Sequence, residues 1–225
     1  MMKKNNKRVI EASLLSFPRE QNQLEKQLMR LKSAKINSIH YDVMDNIFVN
    51  NTSFGTEWLN LLFINNFDVY VHFMVKRPRK WINMFINYPS KAIVFHPEPI
   101  LKFFSRYLLK KIKRSGRLAG LAFKPNTDIS KYHKLLKICD LVTIMGVEPG
   151  FGGQKFLGEK IIKNLKYIND IKKSSNKCLI IQLDGGVNFD VIKQTYKYVD
   201  HFISGSFLIK QKNINNFKKF IDNLD

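Results

Sequence analysis

Two histidines and two aspartates, His40, Asp42, His72 and Asp184, carry the most chemistry in this chain. His40 and Asp42 stand two apart in Ile39-His40-Tyr41-Asp42-Val43-Met44. The two-residue repeat of a strand puts both on one face. His72 holds the matching phase in Tyr70-Val71-His72-Phe73-Met74, and Asp184 ends the run before Gly185-Gly186. Imidazoles and carboxylates together suit a divalent ion such as Zn, Fe, Mn or Co. Taken singly, each His reads as a hydrogen-bonded core residue and each Asp as a strand-end cap. Four converging residues do not, because an unpaired buried carboxylate costs several kcal/mol.

A second kind of chemistry lies in the glycines. Val147-Glu148-Pro149-Gly150-Phe151-Gly152-Gly153-Gln154 is a glycine-dense loop between an apolar run and a helix-like segment. Gly lets backbone N–H groups turn inward and approach an anion closely. A strand-to-helix glycine loop is often only a turn. This one gains weight from Gly185-Gly186 and Gly205-Ser206, which end two later strand-like runs. Met44, Met74 and Met145 end strands on the same side. A buried Met is ordinarily core filler; an apolar collar around a reactive charged intermediate is the competing reading.

These residues need a scaffold that gathers strand ends. Apolar runs predict strands over 8–15, 36–44, 68–75, 91–95, 118–123, 141–145, 178–183 and 201–203. Helical spacing predicts helices over 21–33, 57–64, 78–88, 99–113, 128–137, 160–171, 189–196 and 214–224. Pro78 suits a helix start, and Asp128 or Thr127 a helix cap. Eight strands, each followed by a helix, is the (β/α)₈ count. A doubly wound open sheet is the rival. The polar and Gly-rich residues recur at the ends of most strands, and only a barrel brings all those ends to one mouth. One TIM-barrel domain over 1–225 is therefore expected, with phosphate held by the loops after strands seven and eight.

Composition fits a single core: 225 residues with 44% hydrophobic content. No run approaches the roughly 18 apolar residues of a membrane span, and the basic N-terminus lacks the form of a secretory signal. Cys139 and Cys178 sit in apolar segments and are expected to be buried thiols in a reducing cytoplasm. The net charge of +20, from 38 Lys+Arg against 18 Asp+Glu, would attract polyanions. The basic residues are scattered along predicted helices without aromatic interleaving, as an A/T-rich coding sequence would produce. No dedicated nucleic-acid site is expected.

The chain resembles the ribulose-phosphate 3-epimerase family. The matching segments are Ser13-Leu14-Leu15-Ser16, His40-Tyr41-Asp42-Val43-Met44-Asp45, Val71-His72-Phe73-Met74-Val75, Phe95-His96-Pro97-Glu98, Pro149-Gly150-Phe151-Gly152-Gly153-Gln154, Asp184-Gly185-Gly186-Val187 and Gly205-Ser206. They follow the family's order across nearly the whole chain. The resemblance implies interconversion of D-ribulose 5-phosphate and D-xylulose 5-phosphate, in the pentose phosphate pathway, with one divalent metal. His40, Asp42, His72 and Asp184 match the metal ligands, Asp42 the proton acceptor and Asp184 the proton donor. Ser13, His72, Met44, Met74, Met145, Gly150, Phe151, Gly152, Gly153, Gly185, Gly186, Gly205 and Ser206 are expected to contact substrate or its phosphate. A cytoplasmic homo-oligomer is expected.

This chain departs from the family pattern at Ala12, at Asn50-Asn51, at Lys124 and at Gly146-Val147-Glu148. None of these removes an expected ligand. Asp45 reads equally as a turn residue or a partner of the site, His96 as structural or peripheral, and His133 and His201 as ordinary. Inversion at carbon 3 needs an acid/base group on each face of a planar enediolate. A free Asp, with a pKa near about 3.9, is a poor base for a carbon acid, so Lewis-acid help is required. Two other functions stay open: epimerisation of a six-carbon ketose phosphate such as allulose 6-phosphate, and nucleic-acid binding on a decayed barrel.

Overall fold

The computed structural model describes residues 8–175 and 178–224. Eight strands close into a barrel in chain order: β1 Val9–Ser13, β2 Ser38–Met44, β3 Asp68–Met74, β4 Ala92–Phe95, β5 Leu118–Phe123, β6 Leu141–Met145, β7 Ile180–Asp184 and β8 His201–Ser204. Every neighbouring pair is parallel, and β8 pairs back onto β1. The open-sheet alternative is thereby excluded. Parallel strands buried on both faces read as nearly continuous apolar runs, which is why all eight could be found.

The helices are α1 Gln21–Ser33, α2 Leu59–Ile64, α3 Pro78–Phe85, α4 Lys102–Arg114, α5 His133–Leu136, α6 Glu159–Ser174, α7 Phe189–Thr195, α8 Ser206–Ile209 and α9 Ile214–Asp222. Outward strand positions such as Ile39, Tyr41, Val43, Val71 and Phe73 pack with Leu24, Leu28 and Leu31 of α1 and Phe85 of α3 in one continuous core. Inward positions form a smaller lumenal cluster of Tyr70, Ala92, Val94, Ala122 and Leu141. Gly120 makes room there, since a Cβ on it would meet Leu141 Cγ at 2.8 Å. The polar site begins one inward position further along the strands.

Several boundaries differ from expectation. β1 stops at Ser13, and Leu14–Ser16 form a 3₁₀ turn ahead of Pro18. The segment expected as one helix over 128–137 is a 3₁₀ turn, Ile129–Tyr132, followed by the short α5. Asp128 does cap it, accepting from Ser130 N, whereas Thr127 gives its hydroxyl to Glu98 at 2.6 Å. β7 starts two residues later than expected and ends one residue later, at Asp184. Cys178 consequently lies before the strand and is exposed, contrary to the expected buried thiol; Cys139 is buried. α8 was not expected. The basic residues 1–7 lie outside the described region. Among the described residues no helix is long and apolar enough to cross a membrane.

Candidate active site

The register of the barrel assembles the donor set. Asp42 of β2 pairs with His72 of β3, and Met145 of β6 with Asp184 of β7. His40 and His72 are fully buried, and Asp42 nearly so. The facing nitrogens, His40 Nε2 and His72 Nδ1, are 3.1 Å apart. His40 Nε2 lies 3.4 Å from Asp42 Oδ1 and 3.6 Å from Asp184 Oδ2. His72 Nδ1 lies 3.2 and 3.6 Å from the same two oxygens. A tetrahedral ion with bonds near 2.0–2.1 Å requires ligand atoms about 3.3 Å apart. Donor type and spacing therefore fit a divalent cation, and these residues form a buried cluster that could hold one.

Behind the donors is a shell of partners that spacing along the chain did not reveal. His40 Nδ1 faces Glu11 Oε2 at 3.1 Å. The other Glu11 oxygen takes His201 Nδ1 at 2.7 Å and Gln182 Nε2 at 2.5 Å. His201, expected to be an ordinary residue, thus anchors a buried carboxylate. His96 is neither solvent-facing nor remote: its Nε2 lies 3.1 Å from His72 Nε2, and its Nδ1 lies 3.3 Å from Glu98 Oε2. Ser13 Oγ donates to Asp42 Oδ2 at 2.9 Å. Asp45 is a turn residue, accepting from Ile47 N, Phe48 N and Lys76 N. His133 is exposed.

The electrostatics reflect crowded, buried charge. Burial works against ionising Asp42, but His40 and His72 overcome it and hold the carboxyl low. Burial pushes Asp184 up, and the charges of Asp42 and Glu11 push further against the pull of His40. Burial would lower His40, yet Asp42, Glu11 and Asp184 raise it well above the ordinary histidine value. His72 is lowered, by burial first and by His40 as well. Three carboxylates around two imidazoles leave negative charge that a cation would neutralise.

Above the donors opens a cleft of about 260 Å³. Its walls contain Ser13, Asp42, Asp184, the three methionines Met44, Met74 and Met145, the 150–153 loop with Phe151, Gly185-Gly186 and Gly205-Ser206. All of the expected site residues therefore reach this mouth or, for His40 and His72, lie directly beneath it. Met44 and Met74 pack with Val49 against Leu15 and Phe48. Phe151 is on the rim and exposed. Gln154 Nε2 laces the glycine loop by donating to Glu148 O and Phe151 O. Asn51, one of the departures, reaches across to Gly150 O at 2.6 Å. Gly146, another, lies where a Cβ would run into the Gly185 carbonyl oxygen. Glu148 is exposed and accepts from Asn126 at 3.4 Å.

Fold and site together define a TIM-barrel enzyme with a metal-type donor cluster and glycine-rich loops at the C-terminal mouth of its strands. The sequence matches the model of the ribulose-phosphate 3 epimerase family over residues 9–209. A ribulose-phosphate 3-epimerase of Mycoplasma genitalium is 40% identical over 173 residues, covering 76% of this chain and 79% of the relative. One from Buchnera aphidicola is 34% identical over 215 residues, covering 92% and 90%. The chain belongs to the ribulose-phosphate 3-epimerase family and is an isomerase. Among solved structures, a tryptophan synthase α-subunit of Pyrococcus furiosus aligns with a TM-score of 0.65 over 99% of both chains, at 12% identity. An orotidine 5'-monophosphate decarboxylase of Methanocaldococcus jannaschii aligns at 0.61 over 96% of this chain and 99% of that one, at 14% identity. These two likenesses concern the barrel alone.

Proposed function

We propose that the protein reversibly inverts carbon 3 of D-ribulose 5-phosphate to give D-xylulose 5-phosphate. His40, Asp42, His72 and Asp184 would hold one divalent cation, and Asp42 and Asp184 would be the acid/base pair. The observation that supports this most is that two carboxylates from separate strands, β2 and β7, meet the same two imidazole nitrogens at 3.2–3.6 Å. When bound, the cation supplies Lewis acidity that lowers the cost of charge developing on the substrate's oxygens.

The chain's own residues do the rest. Asp42, kept ionised and fixed by Ser13, takes the carbon 3 proton from one face. Asp184, whose proton affinity burial raises, returns a proton to the other face. Met44, Met74 and Met145 keep water from the planar enediolate. Backbone N–H groups of the 150–153 loop and of Gly185-Gly186, with Gly205-Ser206, grip the phosphate. We place the reaction in the cytoplasm, in a homo-oligomer. The exposed Leu101, Phe103, Phe104 and Tyr107, at the start and along α4, would give such an assembly an apolar face to cover.

A coupled assay on ribulose 5-phosphate and allulose 6-phosphate, with metal analysis of the same preparation, tests the reading. Turnover of the pentose with bound divalent metal is expected. Preference for the hexose would replace the substrate, and full activity after exhaustive chelation would overturn the metal role.

A further inference from the structure

We propose that Glu98, acting through His96, and Glu11, acting directly, fix the tautomers of the two histidines so that both present a lone pair to the same point. This rests on the reading of His40 and His72 as cation ligands. The observation is an unbroken chain, Glu11, His40, His72, His96, Glu98, buried except at the half-buried Glu98 and joined by contacts of 3.1, 3.1, 3.1 and 3.3 Å. The link in the middle, between His40 Nε2 and His72 Nδ1, is where a cation would sit.

The polarity of the chain is set from its ends. Glu98 Oε1 accepts from Lys124 N at 2.9 Å and Thr127 Oγ1 at 2.6 Å. A backbone N–H can only donate, so this carboxylate is an acceptor. Its second oxygen, Oε2, then accepts the hydrogen bond of His96 Nδ1–H. That leaves His96 Nε2 bare, so His72 Nε2 must carry the hydrogen between them. His72 Nδ1 is left with a lone pair that faces His40.

The same logic runs from the other end. Thr143 Oγ1 donates to Gln182 Oε1 at 2.5 Å, and the Gln182 amide nitrogen donates to Glu11. Glu11 takes that N–H and His201 Nδ1 on one oxygen, leaving the other for His40 Nδ1. In the neutral imidazole that a cation requires, His40 Nε2 is therefore the bare nitrogen. Water is kept from substituting for these partners. His96 is 1% exposed, Phe48 packs on its ring at 4.8 Å, and Lys124 Nζ sits 3.9 Å over the Phe48 ring. Glu11 and Glu98 are thus positioning residues, comparable to the carboxylates that orient metal-bound histidines elsewhere.

The test uses isosteric inversion. In Glu98→Gln the amide oxygen stays with Lys124 N and Thr127, and the NH₂ is forced toward His96 Nδ1. Every hydrogen in the relay then reverses, and His72 Nδ1 points an N–H at the site. Glu11→Gln does the same to His40. Zn²⁺ affinity is measured by competition with a chromophoric chelator, and imidazole tautomers by long-range ¹H–¹⁵N spectra of the folded proteins. Each variant is expected to lose about 10–100-fold in Zn²⁺ affinity. The ¹⁵N pattern of the metal-free protein is expected to switch at His96 and His72 in Glu98→Gln. Unchanged affinity and unchanged tautomers in a folded Glu98→Gln protein would overturn the relay while leaving the cation site standing. Failure of the unsubstituted protein to bind Zn²⁺ would overturn the ligand reading itself, and the relay with it.

Discussion

Replacing Gly186 by Ala separates the cost of backbone conformation from the cost of displacing the site. Gly186 has φ +69°, and a Cβ on it would lie 2.7 Å from Phe156 N and 2.8 Å from Phe156 Cα. Gly116 provides the control: its φ is +81°, but nothing lies within 4 Å of its Cβ. Gly116→Ala therefore bears only left-handed strain, about 1–2 kcal/mol. Gly186→Ala carries the same strain and must also move Phe156 from 2.7 Å to the 3.4 Å of an ordinary contact, about 0.7 Å. Overpacking of that kind adds about 1–3 kcal/mol. For a chain of this size each kcal/mol lowers Tm by about 2–4 °C.

The displaced segment is not isolated. Leu157 N donates to Gly146 O at 2.9 Å, so a shift of Phe156 is carried toward the end of β6 and the 150–153 loop. A misplacement near 1 Å can cost about 10²-fold in rate. Gly186→Ala should lose both stability and about 10²-fold in kcat/KM for the pentose phosphate, while Gly116→Ala loses only stability. Thermal unfolding and the coupled assay on both variants decide it. If Gly186→Ala matched Gly116→Ala in Tm and kept wild-type kcat/KM, the packing of Phe156 on Gly186 would not be what holds the mouth in shape.

Asp42→Asn should lower kcat by about 10²–10⁴-fold, the usual range for loss of a positioned acid/base group, and chelation should abolish activity reversibly. Full turnover by Asp42→Asn in the coupled assay would remove that residue from the chemistry. Glu98 gives a pH test. Burial opposes its ionisation, but His96, Thr127 and Lys124 N hold its pKa down at about 2, against 4.5 ordinarily. Its stabilisation is present above pH 4.5 and is lost as pH falls through about 2. The advantage of the wild type over Glu98→Gln should therefore shrink by about 3 kcal/mol over that range, read by urea unfolding of metal-free protein. A pH-independent difference would contradict the assignment. A thiol reagent should modify Cys178 in the native protein and Cys139 only after unfolding; labelling of both at equal rates would contradict their placement.

The barrel and its donors were legible because each announces itself in one strand. A parallel strand buried on both faces is an apolar run, and a polar residue inside such a run is conspicuous. His40 and Asp42 are legible together, because alternation alone puts them on one face. The partners behind them were not. In the β1–β2 ladder Ser13, not Glu11, is opposite His40, and the Glu11 carboxylate reaches the imidazole only diagonally. Which residue meets which across a barrel depends on stagger between strands, and that is absent from local pattern. A signal did exist: Glu11, Gln182 and His201 are polar residues within apolar strands, and Glu11 shares the inward parity of Ser13. Helix ends were misplaced where side chains had other partners, as with Thr127, which serves Glu98 instead of a cap.

The buried polar chain also bears on why the fold tolerates the site. Five ionisable groups in and at the mouth of a barrel would be costly if left unpaired. Among the described residues, the buried side-chain atoms without a partner are Tyr41 Oη, Ser90 Oγ, Asn164 Nδ2 and Ser204 Oγ, and none belongs to this chain. Each carboxylate at its ends accepts from a neighbouring donor, the Lys124 backbone N–H at one end and the Gln182 amide at the other. Under the proposed polarity the pairing leaves spare acceptors only at the midpoint, where His40 Nε2 and His72 Nδ1 face each other at 3.1 Å. Two lone pairs at that distance repel unless a proton or a cation lies between or beside them, and the two neighbouring aspartates add to the same deficit of positive charge. The hydrogen bonds that make burial affordable are thus the ones that concentrate the need for a cation at the mouth of the barrel.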